Sequence, residues 1–215
     1  MIISRIMTKN PVFVHPDISV HDAWSLMDKE KIGRLPVLDK QHRLTGIVTR
    51  KDLLKAGPSP ATSLDIYEIS YLLSKLKVEK IMVRQVITVE ENEVVEEAAR
   101  IMGDKDISCL PVMRGPLLVG IITGTDLLQV FIHAFGARHP GVRITLSMRE
   151  RPGQLAKLAT AIAEKGGNIV SFVSAEGDTL ACRRGTYKIS GISSQDIEAI
   201  IQTMPETELE DIRER

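Results

Sequence analysis

One nine-residue stretch occurs twice in this chain of 215 residues, as GIVTRKDLL over 46–54 and as GIITGTDLL over 120–128. Both copies run Gly, two β-branched residues, Thr, two variable residues, Asp, Leu, Leu. The β-branched pair suits the end of a buried strand. The Thr then caps a helix, and the Asp falls in its first turn. Such a helix start offers backbone N–H groups and a positive dipole end to a phosphate. A hydroxyl beside it can bind a phosphate oxygen, and an aspartate can accept from both ribose hydroxyls. One copy alone would read equally well as a strand end and a cap. Two copies in matching places favour a ligand.

The self-similarity extends beyond the motif. Ile6-Met7 matches Ile81-Met82, Val20 matches Val95, Ala23 matches Ala98, Met27 matches Met102, and Leu35-Pro36-Val37 matches Leu110-Pro111-Val112, all at an offset of 75. At Gly46 and Gly120 the offset is 74, so the second copy has lost one residue in the preceding turn. A repeat over about fifty residues is a statement about the fold. Each copy reads as β-α-β-β-α. The first extended segment is PVFV (11–14) or VITV (86–89). Asp17 or Asn92 is then expected to cap a helix whose apolar stripe has helical spacing. Two strands follow, the second running into the motif. Between the copies Gly57-Pro58-Ser59-Pro60 breaks the chain. Ser63 is expected to cap a helix over 64–76 that packs beside the second copy, with Ile66, Ile69, Leu73 and Leu76 on one face.

These residues resemble a tandem pair of CBS domains. The Gly-x-x-Thr-x-x-Asp signature, the Leu-Pro-Val strand and the leading Ile-Met carry the resemblance over residues 1 to about 135. It implies two repeats packed through their sheets and two clefts for adenosyl ligands. By match to the motif, Thr49 and Thr123 would stand near phosphate and Asp52 and Asp126 near ribose. Arg50 and Lys51 would add charge to the first cleft, against Gly124 and Thr125 at the second. On that pair of differences the first cleft is expected to favour the more highly charged nucleotides. Met7 and Met82 read as packing residues or, alternatively, as lining for an adenine pocket.

After a linker over 136–141 the pattern changes. Val142 to Met148 alternates as a half-buried strand. Pro152 suits the first position of a helix with Leu155, Leu158, Ala159 and Ile162 on its apolar side, and Gly166-Gly167 ends it. Asn168 to Val173 and Leu180 to Ile189 read as strands, Ser193 or Ser194 as a cap, and Glu208 to Ile212 as a last edge strand. The order β-α-β-β-α-β is a ferredoxin-like unit. Arg151-Pro152-Gly153-Gln154-Leu155 and Gly166-Gly167-Asn168-Ile169 resemble the ACT domain over about 142–215. The resemblance implies an amino-acid effector at Pro152, Gly153, Gln154, Leu155, Asn168 and Ile169, or a domain that only dimerises. The expected fold class is therefore α+β: a first repeat over 1–60, a linker helix and second repeat over 61–135, and an ACT domain over 142–215. A CBS pair followed by an ACT domain in about 215 residues resembles the acetoin-utilisation AcuB family.

Charge and motifs narrow the function classes. Lys plus Arg equals Asp plus Glu at 28 each, which gives no pull towards nucleic acid or acidic lipid. Cys109 and Cys182 lack metal-ligand spacing and read as thiols in a reducing compartment. The first ten residues show no apolar core of a signal peptide, and no run of 18 apolar residues exists, so a cytoplasmic protein is expected. No phosphate loop, HExxH, GxSxG or CxxC is present. His133 and His139 read as surface residues, and Glu206, Glu208, Glu210, Asp211 and Glu214 as a solvated acidic end. No catalytic residue, metal or cofactor is expected. The chain reads as a regulatory sensor of an adenine nucleotide or related adenosyl ligand. It is expected to form at least a homodimer, with an output of altered contact with a partner enzyme or with another copy of itself. The alternative is an assembly module, or a regulatory partner of a metabolic enzyme, with no ligand of its own.

Overall fold

A computed structural model describes residues 1–57, 65–177, 179 and 181–214. The chain divides into two compact units, Met1–Leu127 and Leu128–Arg215. The first unit holds β1 (Thr8–Lys9), α1 (Val20–Lys29), β2 (Arg34–Leu38), β3 (Leu44–Thr49), α2 (Arg50–Ala56), α3 (Ile66–Lys75), β4 (Val89–Glu90), α4 (Val95–Asp104), β5 (Cys109–Arg114), β6 (Leu117–Thr123) and the start of α5 (Gly124–Ala134). The second holds β7 (Val142–Arg149), α6 (Gln154–Glu164), β8 (Asn168–Glu176), β9 (Cys182–Ser190), α7 (Ser194–Gln202) and β10 (Thr207–Glu214).

The repeats of the first unit share strands. Sheet order is β1-β6-β5-β4, so the strand that opens the first repeat belongs to the sheet of the second. The converse pairing is a bridge from Ile47 of β3 to Val83, which precedes β4. Backbone hydrogen bonds repeat this exchange. The N–H groups of Ile3 and Ser4 donate to the carbonyls of Glu93 and Glu91 at 2.9 Å each. Those of Val78 and Glu79 donate to Ile18 and Pro16 at 2.9 and 3.0 Å. Side chains follow the backbone: Ile3 and Met7 are buried in the core of the second repeat, and Val78 and Met82 in that of the first. Ile47 and Ile121, with Cys109, form a small cluster where the two sheets meet.

Gly46 and Gly120 are required by this exchange. A Cβ at Gly46 would run into Met82 Sδ and come to 3.1 Å from the Val83 carbonyl oxygen. A Cβ at Gly120 would run into Met7 Sδ and stand 3.1 Å from the Thr8 oxygen. The turns before these glycines differ. Residues 39–43 form a loop in which Asp39 Oδ1 accepts from the N–H groups of Gln41 and Arg43, whereas Gly115-Pro116 makes a two-residue turn with Gly115 at φ +55°. The two-residue turn accounts for the missing residue. Both hairpins keep a register shift at the same place, after Val37 and after Val112.

Several local expectations change. Ser19, not Asp17, caps α1, its side chain accepting from the Asp22 N–H. Asn92 caps nothing: Val94 precedes α4 with no side-chain cap, and the Val95 N–H donates instead to the Met1 carbonyl at 3.0 Å. Backbone from the exchanged segment thus satisfies a helix end that the sequence suggested a side chain would cover. The extended segments are Thr8–Lys9 and Val89–Glu90, and of 11–14 only Val14 bridges, to Val37. Asp65 caps α3 in a capping box with Glu68; Ser63 lies outside the described residues, as does the side chain of Ile66. Leu73 of α3 and Leu76, which follows the helix, pack on the core of the first repeat, not beside the second.

In the second unit the order is β10-β7-β9-β8, all antiparallel, as β-α-β-β-α-β connectivity requires. Val142, Ile144, Leu146 and Met148 of β7 meet Leu158, Ile162, Ile197 and Ile201 of the two helices. Gly153 at φ +86° precedes α6, so Pro152 lies outside the helix it was expected to open. Ser193 caps α7, and Leu180 lies outside the described residues.

Two glycines test the packing with opposite signs. Gly46→Ala should lower stability by about 1–3 kcal/mol, because an added methyl must displace Met82. Gly103→Ala, inside α4 with no atom within 4 Å of the added Cβ, should raise it by about 0.5–1 kcal/mol through lost unfolded-state entropy. Urea midpoints at constant m-value check both; a neutral Gly46→Ala would show that Met82 does not press on Gly46.

Candidate functional site

The repeated motif forms the same device twice. The Thr49 N–H and hydroxyl both donate to Asp52 Oδ2, at 2.9 and 2.6 Å, and the Asp52 N–H donates back to Thr49 Oγ1 at 3.3 Å. At Thr123 and Asp126 the corresponding distances are 2.8, 2.8 and 3.3 Å. Each aspartate is held by one oxygen, and among the described residues Oδ1 accepts no hydrogen bond. The first-turn donors are largely committed as well: the Arg50 N–H donates to Gly33 O at 2.9 Å and the Gly124 N–H to Ser108 O at 3.1 Å. What the motif presents outward is a fixed carboxylate oxygen rather than a row of open N–H groups.

Beside Thr49 lies a cavity of about 420 Å³. Ile47, Thr49, Lys51 and Asp52 line it from the first repeat. Val83, Gln85, Val86 and Ile87, then Asp106, Ile107, Ser108, Cys109 and Pro111, line it from the second. Apolar walls with a few convergent polar groups, at this size, suit a small organic ligand. The Ile, Val and Pro side chains offer apolar walls, and Thr49, Asp52, Gln85, Asp106 and Ser108 offer hydrogen-bonding groups. Burial pushes the Cys109 thiol up, with Arg34 opposing, so the thiol in this wall is neutral.

The structure sorts the expected site residues. Thr49, Lys51 and Asp52 line one cavity together. Arg50 turns away: its guanidinium donates to Asp28 Oδ1 at 2.6 Å and to the Ile32 carbonyl at 3.3 Å, and lies 5.6 Å from the Trp24 ring centroid. Thr123, Thr125 and Asp126 stand at the matching corner of the second repeat. Met82 packs on the first repeat's core, and Met7 borders a separate cavity of about 200 Å³ with Lys9, Asn10 and Arg114, so neither methionine lines the Thr49 cavity. Gln85, Val86, Ile87, Asp106, Ser108 and Cys109 were not singled out from sequence. The repeat was the signal that could have found them, read as an exchange of walls.

In the second unit, Gln154 Nε2 and an Arg151 nitrogen donate to Glu206 Oε2 at 3.0 and 3.2 Å, while Leu155 is exposed. Asn168 opens β8 opposite Ser190, and Ile169 packs on the core. The groups at Pro152–Leu155 and at Asn168–Ile169 lie at opposite ends of α6, about 16 Å apart by helix rise. Within one chain they do not form a single site. Among the described residues no group of three or more His, Cys, Asp or Glu could hold a metal ion, and no helix is long and apolar enough to cross a membrane.

The capping box predicts a cost that needs no ligand. Thr49→Val should destabilise the ligand-free protein by about 1 kcal/mol, with Thr49→Ser close to wild type. Equal melting midpoints for Thr49→Val and wild type would show that the hydroxyl contributes nothing to the helix start.

The CBS domain family matches residues 3–59 and 78–133, more than half of the chain. Among solved structures, the CBS domain pair of protein MJ0100, in complex with 5′-methylthioadenosine and S-adenosyl-L-methionine, is 31% identical, with a TM-score of 0.52 over 65% of this chain and 98% of that one. CBSX2 in complex with AMP is 31% identical, with a TM-score of 0.50 over 61% and 96%. A Vibrio cholerae protein named AcuB for acetoin utilization is 29% identical, with a TM-score of 0.53 over 64% and 95%. The chain spans less than a third of the length of the first curated relatives it matches. Sequence repeat, shared strands and cavity agree with these matches: the chain belongs to the CBS-domain family.

Proposed function

We propose that this protein is a regulatory sensor that binds an adenosyl ligand in the clefts between its two repeats. The observation that carries the reading is the cavity beside Thr49, whose walls come from both repeats. Adenine fits between the apolar walls, and Asp52, held by its capping box, offers Oδ1 to the ribose hydroxyls. MJ0100 and CBSX2, which hold adenosyl ligands, support this reading. A ligand that touches both repeats binds one of their relative arrangements better than another, and only such a difference shifts an equilibrium.

The second unit is read as an ACT domain, from its strand order and from the Arg-Pro-Gly-Gln-Leu helix start. An effector there would need a second copy to bring the two ends of α6 together, which fits a homodimer with composite sites. Output passes to a partner enzyme, and the likeness to AcuB favours one of acetoin-type metabolism. The protein itself is read as a regulator without catalysis, in the cytoplasm.

Thermal denaturation tests the central point. AMP, ATP, 5′-methylthioadenosine or S-adenosylmethionine, at 100 times its dissociation constant, should stabilise the native state by about 2.7 kcal/mol. The shift should shrink when Asp52→Ala and Asp126→Ala are combined. No shift with any of the four at millimolar concentration would rule the reading out in favour of an assembly module with empty clefts.

A further inference from the structure

The far wall of the Thr49 cavity includes Asp106, Ser108 and Cys109 of the second repeat. The 75-residue offset carries these positions to Lys31, Gly33 and Arg34. The correspondence is geometric as well. Lys31 and Asp106 both stand in the left-handed region, at φ +54° and +50°. The next N–H closes each turn, Ile32 onto Met27 O at 2.9 Å and Ile107 onto Met102 O at 3.0 Å. Two turns of one shape therefore present opposite charges.

Arg34 supplies an independent observation. Its Nη2 donates to Ser108 Oγ at 3.2 Å, and the Ser108 carbonyl accepts the Gly124 N–H at 3.1 Å, next to Thr123. Ser108 also lines the Thr49 cavity, so the guanidinium stands between that wall and the corner where the second helix starts. Its Nε is buried and has no hydrogen-bond partner among the described residues. A buried guanidinium N–H without an acceptor is unfavourable, and its planar fork matches a phosphate.

Resting on the adenosyl reading above, we infer that the two clefts divide their ligands by charge. The cleft expected at Thr123 and Asp126, where the 75-residue offset puts Lys31 and Arg34 on the far wall, takes phosphorylated adenine nucleotides. The cleft of Thr49 and Asp52, faced by Asp106, takes adenosyl compounds that lack a phosphate. A like charge across a site rejects a ligand more effectively than an opposite charge recruits one, which makes the pair selective. This reverses the order expected from Arg50 and Lys51: Arg50 is bound to Asp28 outside the cavity, and Lys51, which lines it, shares that lining with the carboxylates of Asp52 and Asp106.

AMP and 5′-methylthioadenosine share their adenosine and differ at the 5′ group. Both would be titrated calorimetrically into Asp52→Ala, which keeps the ribose anchor of the second cleft, and into Asp126→Ala, which keeps that of the first. Asp52→Asn and Asp126→Asn replace them if either alanine variant melts early. In the Asp52 variant AMP should bind about tenfold more tightly than 5′-methylthioadenosine, and in the Asp126 variant the order should invert. Adding Arg34→Gln to the Asp52 variant should cost AMP about tenfold and leave 5′-methylthioadenosine within about twofold, and Arg34→Lys should restore AMP only in part. The same ligand ratio in both variants, or an Arg34→Gln without effect on AMP, overturns the division while adenosyl binding stands. Absence of binding by wild type overturns the underlying reading together with it.

Discussion

The first unit depends on one reciprocal exchange of backbone. The segment that opens each repeat hydrogen-bonds to the other repeat: Ile3 and Ser4 to Glu93 and Glu91, Val78 and Glu79 to Ile18 and Pro16. The helix starts obey the same rule, the Val20 N–H donating to Leu76 O and the Val95 N–H to Met1 O. Each repeat therefore lacks part of its own core and part of a helix cap until its twin is in place. The side chains that follow the exchanged backbone, Met7 and Met82, occupy the space that Gly120 and Gly46, respectively, leave open. The Gly of the motif is thus a packing residue, whereas its Thr and Asp are a cap and a presented carboxylate.

Function follows from the same exchange. Because Val83 pairs with Ile47, the stretch from Gln85 to Ile87 is led past Thr49 and becomes a wall of its cavity. The turn after α4 contributes Asp106 and Ser108 from the same side. A ligand there cannot touch one repeat alone. On the sensing reading proposed above, no moving lid is needed, only a small change in the fit of two sheets that meet at Ile47, Cys109 and Ile121.

The sequence was most legible where chemistry is local. Thr-x-x-Asp closes its hydrogen bonds within four residues, so its geometry could be read before any tertiary contact was known. The repeat, the hairpin that lost a residue at Gly115-Pro116, and the β-α-β-β-α-β order of the second unit were legible for the same reason. Long-range choices were not. Asp17 is as good a cap residue as Ser19, and nothing nearby says that a distant carbonyl will serve Val95. Arg50 sits inside the motif in sequence, yet Asp28 and the Trp24 ring, over twenty residues away, draw it off. Asp106 and Ser108 face the Thr49 cavity from the opposite repeat, so no window of sequence contains the whole site.

Native-state hydrogen exchange tests the exchange of segments most directly. The amides of Ile3, Ser4, Val78 and Glu79 would be followed beside those of β2, β3, β5 and β6 as urea is raised below the unfolding transition. If the two repeats complete each other, these amides open together, with one free energy and one denaturant dependence equal to those of global unfolding. If either repeat opens at lower free energy while the other stays protected, each repeat is complete in itself and the account fails.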